Sequence, residues 1–330
     1  MTTGDATWTL DGDLCTLRFE RVFPAAREVV WAALTDPDQL EKWFFRIQGS
    51  IEAGGSIVIP WDEPGLASTI VEFEPMKTIA WTWHNPGEPE SIVRFELFDD
   101  GDATRFVLRH SLPIIMANEP TDTLAGWHEH VNVLADLVAG TEREWSWETW
   151  RALKDEYALA TEKERVPDDK GIIELIAGLP QVHFARSFDA PLEKVWAAIS
   201  TSEGLSGWFT ETDIDAREGG SITMTFPGYG SFTFPVLKFE APRTIAFQFD
   251  EDARDVVRFD LYSDGTDRTL LVLTNQVGTE EAAADHRIGW HYHLDRLPTY
   301  LAGDPDSRRD GQHASVEKLY GFVRKDSVKA

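Results

Sequence analysis

Two segments carry most of the residues that could do chemistry. Gly126 to Gly140 reads GWHEHVNVLADLVAG, and Gly289 to Gly303 reads GWHYHLDRLPTYLAG. Each holds a tryptophan and an H-x-H pair: His128 and His130, then His291 and His293. Imidazole is a common metal ligand and titrates near neutral pH. Both segments have helical periodicity, and on a helix positions i and i+2 point about 200° apart, so the two imidazoles of a pair cannot share a zinc ion. One histidine per segment remains on the tryptophan face. Trp127, His130, Leu134 and Leu137 fall at i, i+3, i+7 and i+10, as do Trp290, His293, Leu297 and Tyr300. A histidine there can hydrogen-bond a ligand or move a proton. The alternative is a core histidine bonded to a carbonyl or carboxylate.

Other candidates sit on alternating, strand-like runs. In TIAWTWH, Ile79, Trp81 and Trp83 share a face, matched later by Ile245, Phe247 and Phe249. His110 lies on the same side of its run as Phe106 and Leu108, and Asn275 stands at the matching later position. A polar group on an apolar face must find a partner, which could be a ligand, a water or the closing helix. Trp43 and Trp208 end a short helix and read as gate residues or as plain packing. Trp31 and Trp196 read as core, and Cys15 as a packed small residue. G-x-S-x-G, P-loop, G-x-G-x-x-G and H-E-x-x-H patterns are absent from the sequence, so no catalytic residue, metal or cofactor is expected.

The elements that position these residues come in duplicate. RVFPAAREVVWAALTDPDQLEKWF (Arg21 to Phe44) aligns with RSFDAPLEKVWAAISTSEGLSGWF (Arg186 to Phe209). AGGSI from Ala53 aligns with EGGSI from Glu218, and VRFELFDDG from Val93 with VRFDLYSDG from Val257. The order is kept and the offset drifts by only a few residues, so this is a domain duplication. Each copy reads as a strand, two short helices, an antiparallel meander of about six strands and one long closing helix. In the first copy Val29, Val30, Ala33 and Leu34 have helical spacing, and Asp36-Pro37 suits the start of the second helix. The Asp-Gly pairs in DDGDA and SDGTD read as hairpin turns. Trp147, Trp150, Ala152, Leu153 and Tyr157 predict an extra helix packed back on the first copy. The expected boundaries are 1–160 for the first domain with that helix, 161–178 for a charged linker, 179–305 for the second domain and 306–330 for a tail with a short helix near SVEKLYGFV.

Composition narrows the function class. Of 330 residues, 31 are Lys or Arg and 57 are Asp or Glu, a net charge of −26 that repels nucleic acid and anionic membrane surfaces. One cysteine permits no intrachain disulfide and fits a reducing cytoplasm. The N-terminal residues lack a basic and an apolar region of signal-peptide type, and no run of about 18 apolar residues predicts a membrane span. Thirteen Trp and nineteen Phe suit large pockets, interfaces or an aromatic core.

The run F-x-A-x-x-x-V-W-A-A, then L-x-x-W-F, then GG and the closing G-W-x-x-H resembles the helix-grip domains of the START/Bet v 1 (SRPBCC) superfamily. It is most similar to the branch named after the C-terminal domain of the activator of Hsp90 ATPase. The resemblance covers about 17–140 and 182–303. It implies an α+β fold, two tandem helix-grip domains, each with a curved antiparallel sheet around a long helix and an apolar cavity between them. That cavity is the expected ligand site, lined from Trp127, His130, His110, Trp81, Trp83 and Trp43 in the first copy. In the second the candidates are Trp290, His293, Asn275, Phe247, Phe249 and Trp208. The leading expectation is binding of a small apolar or aromatic molecule. The alternatives are an Hsp90-type co-chaperone or protein-interaction module, and a polyketide aromatase/cyclase-like enzyme. Fused copies are expected to act as a monomeric pseudo-dimer or a weak homodimer.

Overall fold

The computed structural model describes residues 2–3, 6–11, 14–60, 64–84, 89–113, 120–166, 168–251, 254–304 and 313–321. The chain divides into two units, Met1–Ala160 and Thr161–Ala330. In the first, β1 (Thr2–Thr3), β2 (Ala6–Asp11) and β3 (Leu14–Phe23) precede α1 (Arg27–Thr35) and α2 (Pro37–Leu40). A meander follows: β4 (Gln48–Gly49), β5 (Ser56–Ile59), β6 (Leu66–Glu74), β7 (Thr78–Trp83), β8 (Ser91–Asp100) and β9 (Ala103–Pro113). The closing helix α3 (Pro120–Val138) comes next, then α4 (Trp147–Arg165). Among the described residues the strands form one antiparallel sheet, ordered β1-β2-β3-β9-β8-β7-β6-β5-β4.

Local chemistry explains these elements. Along β3 the side chains of Cys15, Leu17 and Phe19 are buried while Thr16, Arg18 and Glu20 are half-buried, the period-2 pattern of a sheet covered on one face. Asp36 accepts hydrogen bonds from the amides of Asp38 (2.9 Å) and Gln39 (3.3 Å), capping α2 with Pro37 in its first turn. On α1, Val30, Trp31, Ala33 and Leu34 face inward, whereas Val29, expected on that face, is 49% exposed. The larger Trp31 takes the inward position. A bulge between Ile70 and Glu72 bends β6 and helps the sheet curve.

The second unit repeats the plan. It runs β10 (Ile172–Ile176), β11 (Leu179–Phe188), α5 (Leu192–Ser200), α6 (Ser202–Trp208), β12 (Glu211–Ile214), β13 (Ser221–Phe226), β14 (Gly230–Glu240), β15 (Thr244–Gln248), β16 (Val256–Ser263) and β17 (Thr269–Gln276). It closes with α7 (Glu280–Leu294), α8 (Leu297–Leu301) and α9 (His313–Leu319). Its sheet order among the described residues is β10-β11-β17-β16-β15-β14-β13-β12, and β14 carries a bulge between Val236 and Lys238. Each unit therefore holds a helix-grip domain in which a curved antiparallel sheet packs on its closing helix.

Three local features depart from expectation. The second closing helix is broken: α7 stops at Leu294 and α8 restarts at Leu297. Pro298 has no amide hydrogen to donate back and its ring clashes with the preceding turn, so one continuous helix cannot pass through it. The charged stretch expected as a linker, 161–178, carries the end of α4 and all of β10. Its charges are paired there: Arg165 Nε donates to Glu174 Oε2 (3.0 Å), and His183 lies 2.5 Å from Glu162, both of the latter buried. The stretch expected as a tail holds α9, and the Tyr320 hydroxyl meets His291 Nδ1 at 2.7 Å. In the first unit Tyr157 on α4 meets His128 Nδ1 at the same 2.7 Å. The segment after each closing helix is thus part of the repeat, tied by one tyrosine to the histidine on the outer side of the H-x-H pair.

Candidate ligand-binding site

The centre of the first unit is Trp127 on α3. Its ring stacks on Phe44 (centroids 5.5 Å apart, 17° between planes) and meets Trp83 of β7 edge-on at 5.9 Å. Its indole Nε1 donates to His110 Nδ1 on β9 at 3.0 Å. Nδ1 must therefore carry a lone pair, and the proton sits on Nε2, which donates to Ser91 Oγ at 2.9 Å. The Ser91 hydroxyl donates in turn to the Trp83 carbonyl at 3.1 Å. This chain uses both imidazole nitrogens. Burial pushes the His110 pKa down to about 3, so the ring is neutral at physiological pH.

His130 is placed differently. Its Nδ1 lies 2.8 Å from the Trp43 carbonyl, which can only accept, so Nδ1 carries the hydrogen. Nε2 then holds the lone pair and has no partner among the described residues. Burial pushes this pKa down to about 4, outweighing the opposing effect of the carbonyl hydrogen bond. His130 lines a cavity of about 320 Å³, at the small end of the roughly 300–1,000 Å³ typical of small-molecule sites. Phe44, Trp83, Trp127 and His110 form its inner wall. Trp145, Trp147 and Trp150, from the start of α4 and just before it, form the outer one. Successive rings of that trio stand nearly perpendicular, at 80° and 81°, and Trp147 is 62% exposed. Trp145 lies 4.5 Å from His130, centroid to centroid.

The second unit repeats the clamp. Trp290 stacks on Phe209 (5.1 Å, 15°), and its Nε1 donates to Asn275 Oδ1 at 2.9 Å. The same oxygen accepts from His286 Nδ1 at 2.8 Å, and Asn275 Nδ2 donates to the buried Asp255 carboxylate at 2.7 Å. His286 stands edge-on to Phe249 at 5.7 Å. In the repeat His286 corresponds to Thr123, a small residue that lines the first cavity.

The expected site residues separate into groups. Trp127, His130, His110 and Trp83 meet at the first cavity. Trp81 stands behind it, fully buried against Phe95 at 4.8 Å. Trp43 and Trp208 are buried and donate from Nε1 to the Ala33 and Ala198 carbonyls, at 2.7 and 2.9 Å. They pin the second short helix to the first. Trp290, Asn275, Phe249 and the half-buried His293 cluster around Phe209, with His293 at 4.6 Å from that ring, and Phe247 is core. Sequence reasoning missed Phe44, Leu112, Asp122, Thr123, Gly126 and Trp145, and took Trp147 and Trp150 only as packing residues of the extra helix. The signal for the outer wall was present as W-x-W-x-x-W from Trp145 to Trp150, the first residue of which had no helical neighbour to draw attention to it. Among the described residues no cluster of His, Cys, Asp and Glu could hold a metal ion, and no helix is long and apolar enough to cross a membrane.

The family model for activator of Hsp90 ATPase homolog 1-like proteins matches residues 24–139 and 189–302, more than half of the chain and both of its copies. The chain belongs to that family. Several solved structures are similar. CalU16 from Micromonospora echinospora is 20% identical over 47% of this chain and 94% of its own, with a TM-score of 0.40. DynU16, described as a putative protein in the dynemicin biosynthetic locus, is 18% identical over 90% of this chain and all of its own, with a TM-score of 0.39. The Aha1 dimer from Colwellia psychrerythraea is 23% identical over 38% of this chain and 97% of its own, with a TM-score of 0.33. No curated protein matches the chain.

Proposed function

We propose that the first domain of this tandem family member binds a small apolar or aromatic molecule between its sheet and α3, and that the second serves as a structural partner. The carrying observation is the 320 Å³ aromatic-walled cavity with one imidazole nitrogen left over. Burying apolar ligand surface there contributes about 25 cal/mol per Å², and His130 sets orientation. His110 works as a fixed strut, because both of its nitrogens are already bonded. Native mass spectrometry of freshly purified protein tests this reading. A bound mass that leaves on denaturation and is lost in Trp127→Ala supports it. Apo protein that also fails to quench indole fluorescence with any aromatic probe contradicts it.

A second reading, a protein-interaction module, draws on the family description and on the exposed Tyr229 (84%) and Phe232 (41%) beside the β13–β14 turn. Stimulation of an Hsp90 ATPase, abolished by Tyr229→Ser with Phe232→Ser and retained in Trp127→Ala, would favour it over ligand binding.

A further inference from the structure

We propose that His130 Nε2 selects the ligand: an aromatic molecule that bears an O–H or N–H donor and carries no negative charge. The proposal rests on ligand binding in the first cavity and adds the chemistry of what enters.

The hydrogen-bond network leaves little freedom. The Trp127 indole proton is committed to His110, and both His110 nitrogens are engaged. Trp150 Nε1 points to the Asp122 carbonyl at 3.4 Å, and Trp145 Nε1 is buried out of reach of solvent with no partner among the described residues. With Nδ1 committed to the Trp43 carbonyl, His130 presents an acceptor that a donor-bearing ligand satisfies and a donorless one leaves buried and unpaired. Discrimination of this kind is steep because the penalty falls on the site itself.

Charge points the same way. Among the described residues lining the cavity the charged one is Asp122, a carboxylate paired with Lys154. An anion entering here would meet no cationic wall, in a chain of net charge −26. Indole faces, by contrast, attract positive charge. The Lys154 ammonium already rests 5.3 Å from the centre of the Trp150 ring. Neutral phenols and protonated aryl-alkyl amines share the required donor.

Four probes on the full chain test this by indole fluorescence quenching: 1-naphthol, 1-naphthylmethylamine, 1-methoxynaphthalene and 1-naphthoate. At least one of the first two should bind ten or more times tighter than the methoxy compound, with naphthoate weakest. Which of the two leads separates a neutral from a cationic ligand. In His130→Phe, naphthol and methoxynaphthalene should become equal. Should that variant not fold, ¹⁵N-histidine spectra of the wild type keep the test open: naphthol should shift one Nε2 resonance and methoxynaphthalene should not. Equal binding of naphthol and methoxynaphthalene by the wild type would overturn the selection while leaving the cavity as a ligand site. Preference for naphthoate would also overturn it. Failure of all four to bind would overturn both the selection and the function it rests on.

Discussion

The two domains share a clamp and differ in what surrounds it. Trp127 and Trp290 make the same stacking contact with a phenylalanine and donate the same indole hydrogen to the same position of the last strand. That position is His110 in one domain and Asn275 in the other, and the supporting residues differ with it. His110 needs an acceptor for its second nitrogen and finds Ser91, where the second domain has Asp255. Asn275 needs an acceptor for its amide and finds Asp255, at the position Ser91 holds in the first domain. The clamp's acceptor is thus retained by two complete networks, each closed in its own way. The residues beside it are not retained. Thr123 corresponds to His286, and the positions of Trp145, Trp147 and Trp150 correspond to Arg308, Asp310 and His313 in the sequence. The duplicated fold has kept its closure while the residues beside it have diverged.

The comparison breaks most visibly if the clamp is not structural. Trp127→Ala and Trp290→Ala should each cost about 3–5 kcal/mol, from lost burial and from the acceptor left unpaired. Urea unfolding should show each loss confined to one transition. A smaller exchange sharpens the network argument. His110→Asn should cost about 1–3 kcal/mol, since Ser91 loses its partner and the new amide has no Asp255 nearby. Adding Ser91→Asp, the second domain's residue at that position, should recover part of the loss, and a stable single variant would show that the networks are interchangeable.

Acid should separate the domains further. His110 and His130 are neutral when folded, with pKa values near 3 and 4 against 6.5 when unfolded, so below pH 6.5 the unfolded chain binds more protons. The stability they permit is complete above pH 6.5 and falls towards pH 4, by up to about 1.4 kcal/mol per pH unit for each histidine. The second domain has an asparagine in place of the first of these and the buried His291, whose pKa is lowered by burial and by Arg186. The single cysteine reports on the first domain alone: Cys15 is buried, and burial raises its pKa to about 12. Labelling by 4,4′-dithiodipyridine should be negligible at pH 7.5 and should accelerate at pH 5 before the second domain opens. Simultaneous opening would contradict the assignment.

Much of this was legible in the sequence. The repeat, the strand–helix–helix–meander–helix order and the Trp face of the closing helix followed from periodicity and spacing. Trp43 and Trp208 read equally as gate residues or as plain packing because the sequence shows only their place at a helix end, not the carbonyls that hold them. The break before Leu297 was readable from Pro298, but the strong match to the first closing helix masked it. The equivalence of α4 and α9 was hidden because Tyr157 and Tyr320 sit in otherwise dissimilar segments. The roles of His110 and His130 depend on which nitrogen is protonated, and that is decided by partners 17 to 87 residues away.

The most direct test is calorimetric titration of the full chain with the tightest of the naphthyl probes, alongside Thr123→His. One site per chain, lost by at least tenfold when Thr123→His places the second domain's side chain in the first cavity, is the predicted result. Two equal sites, or binding that survives Thr123→His unchanged, would contradict it.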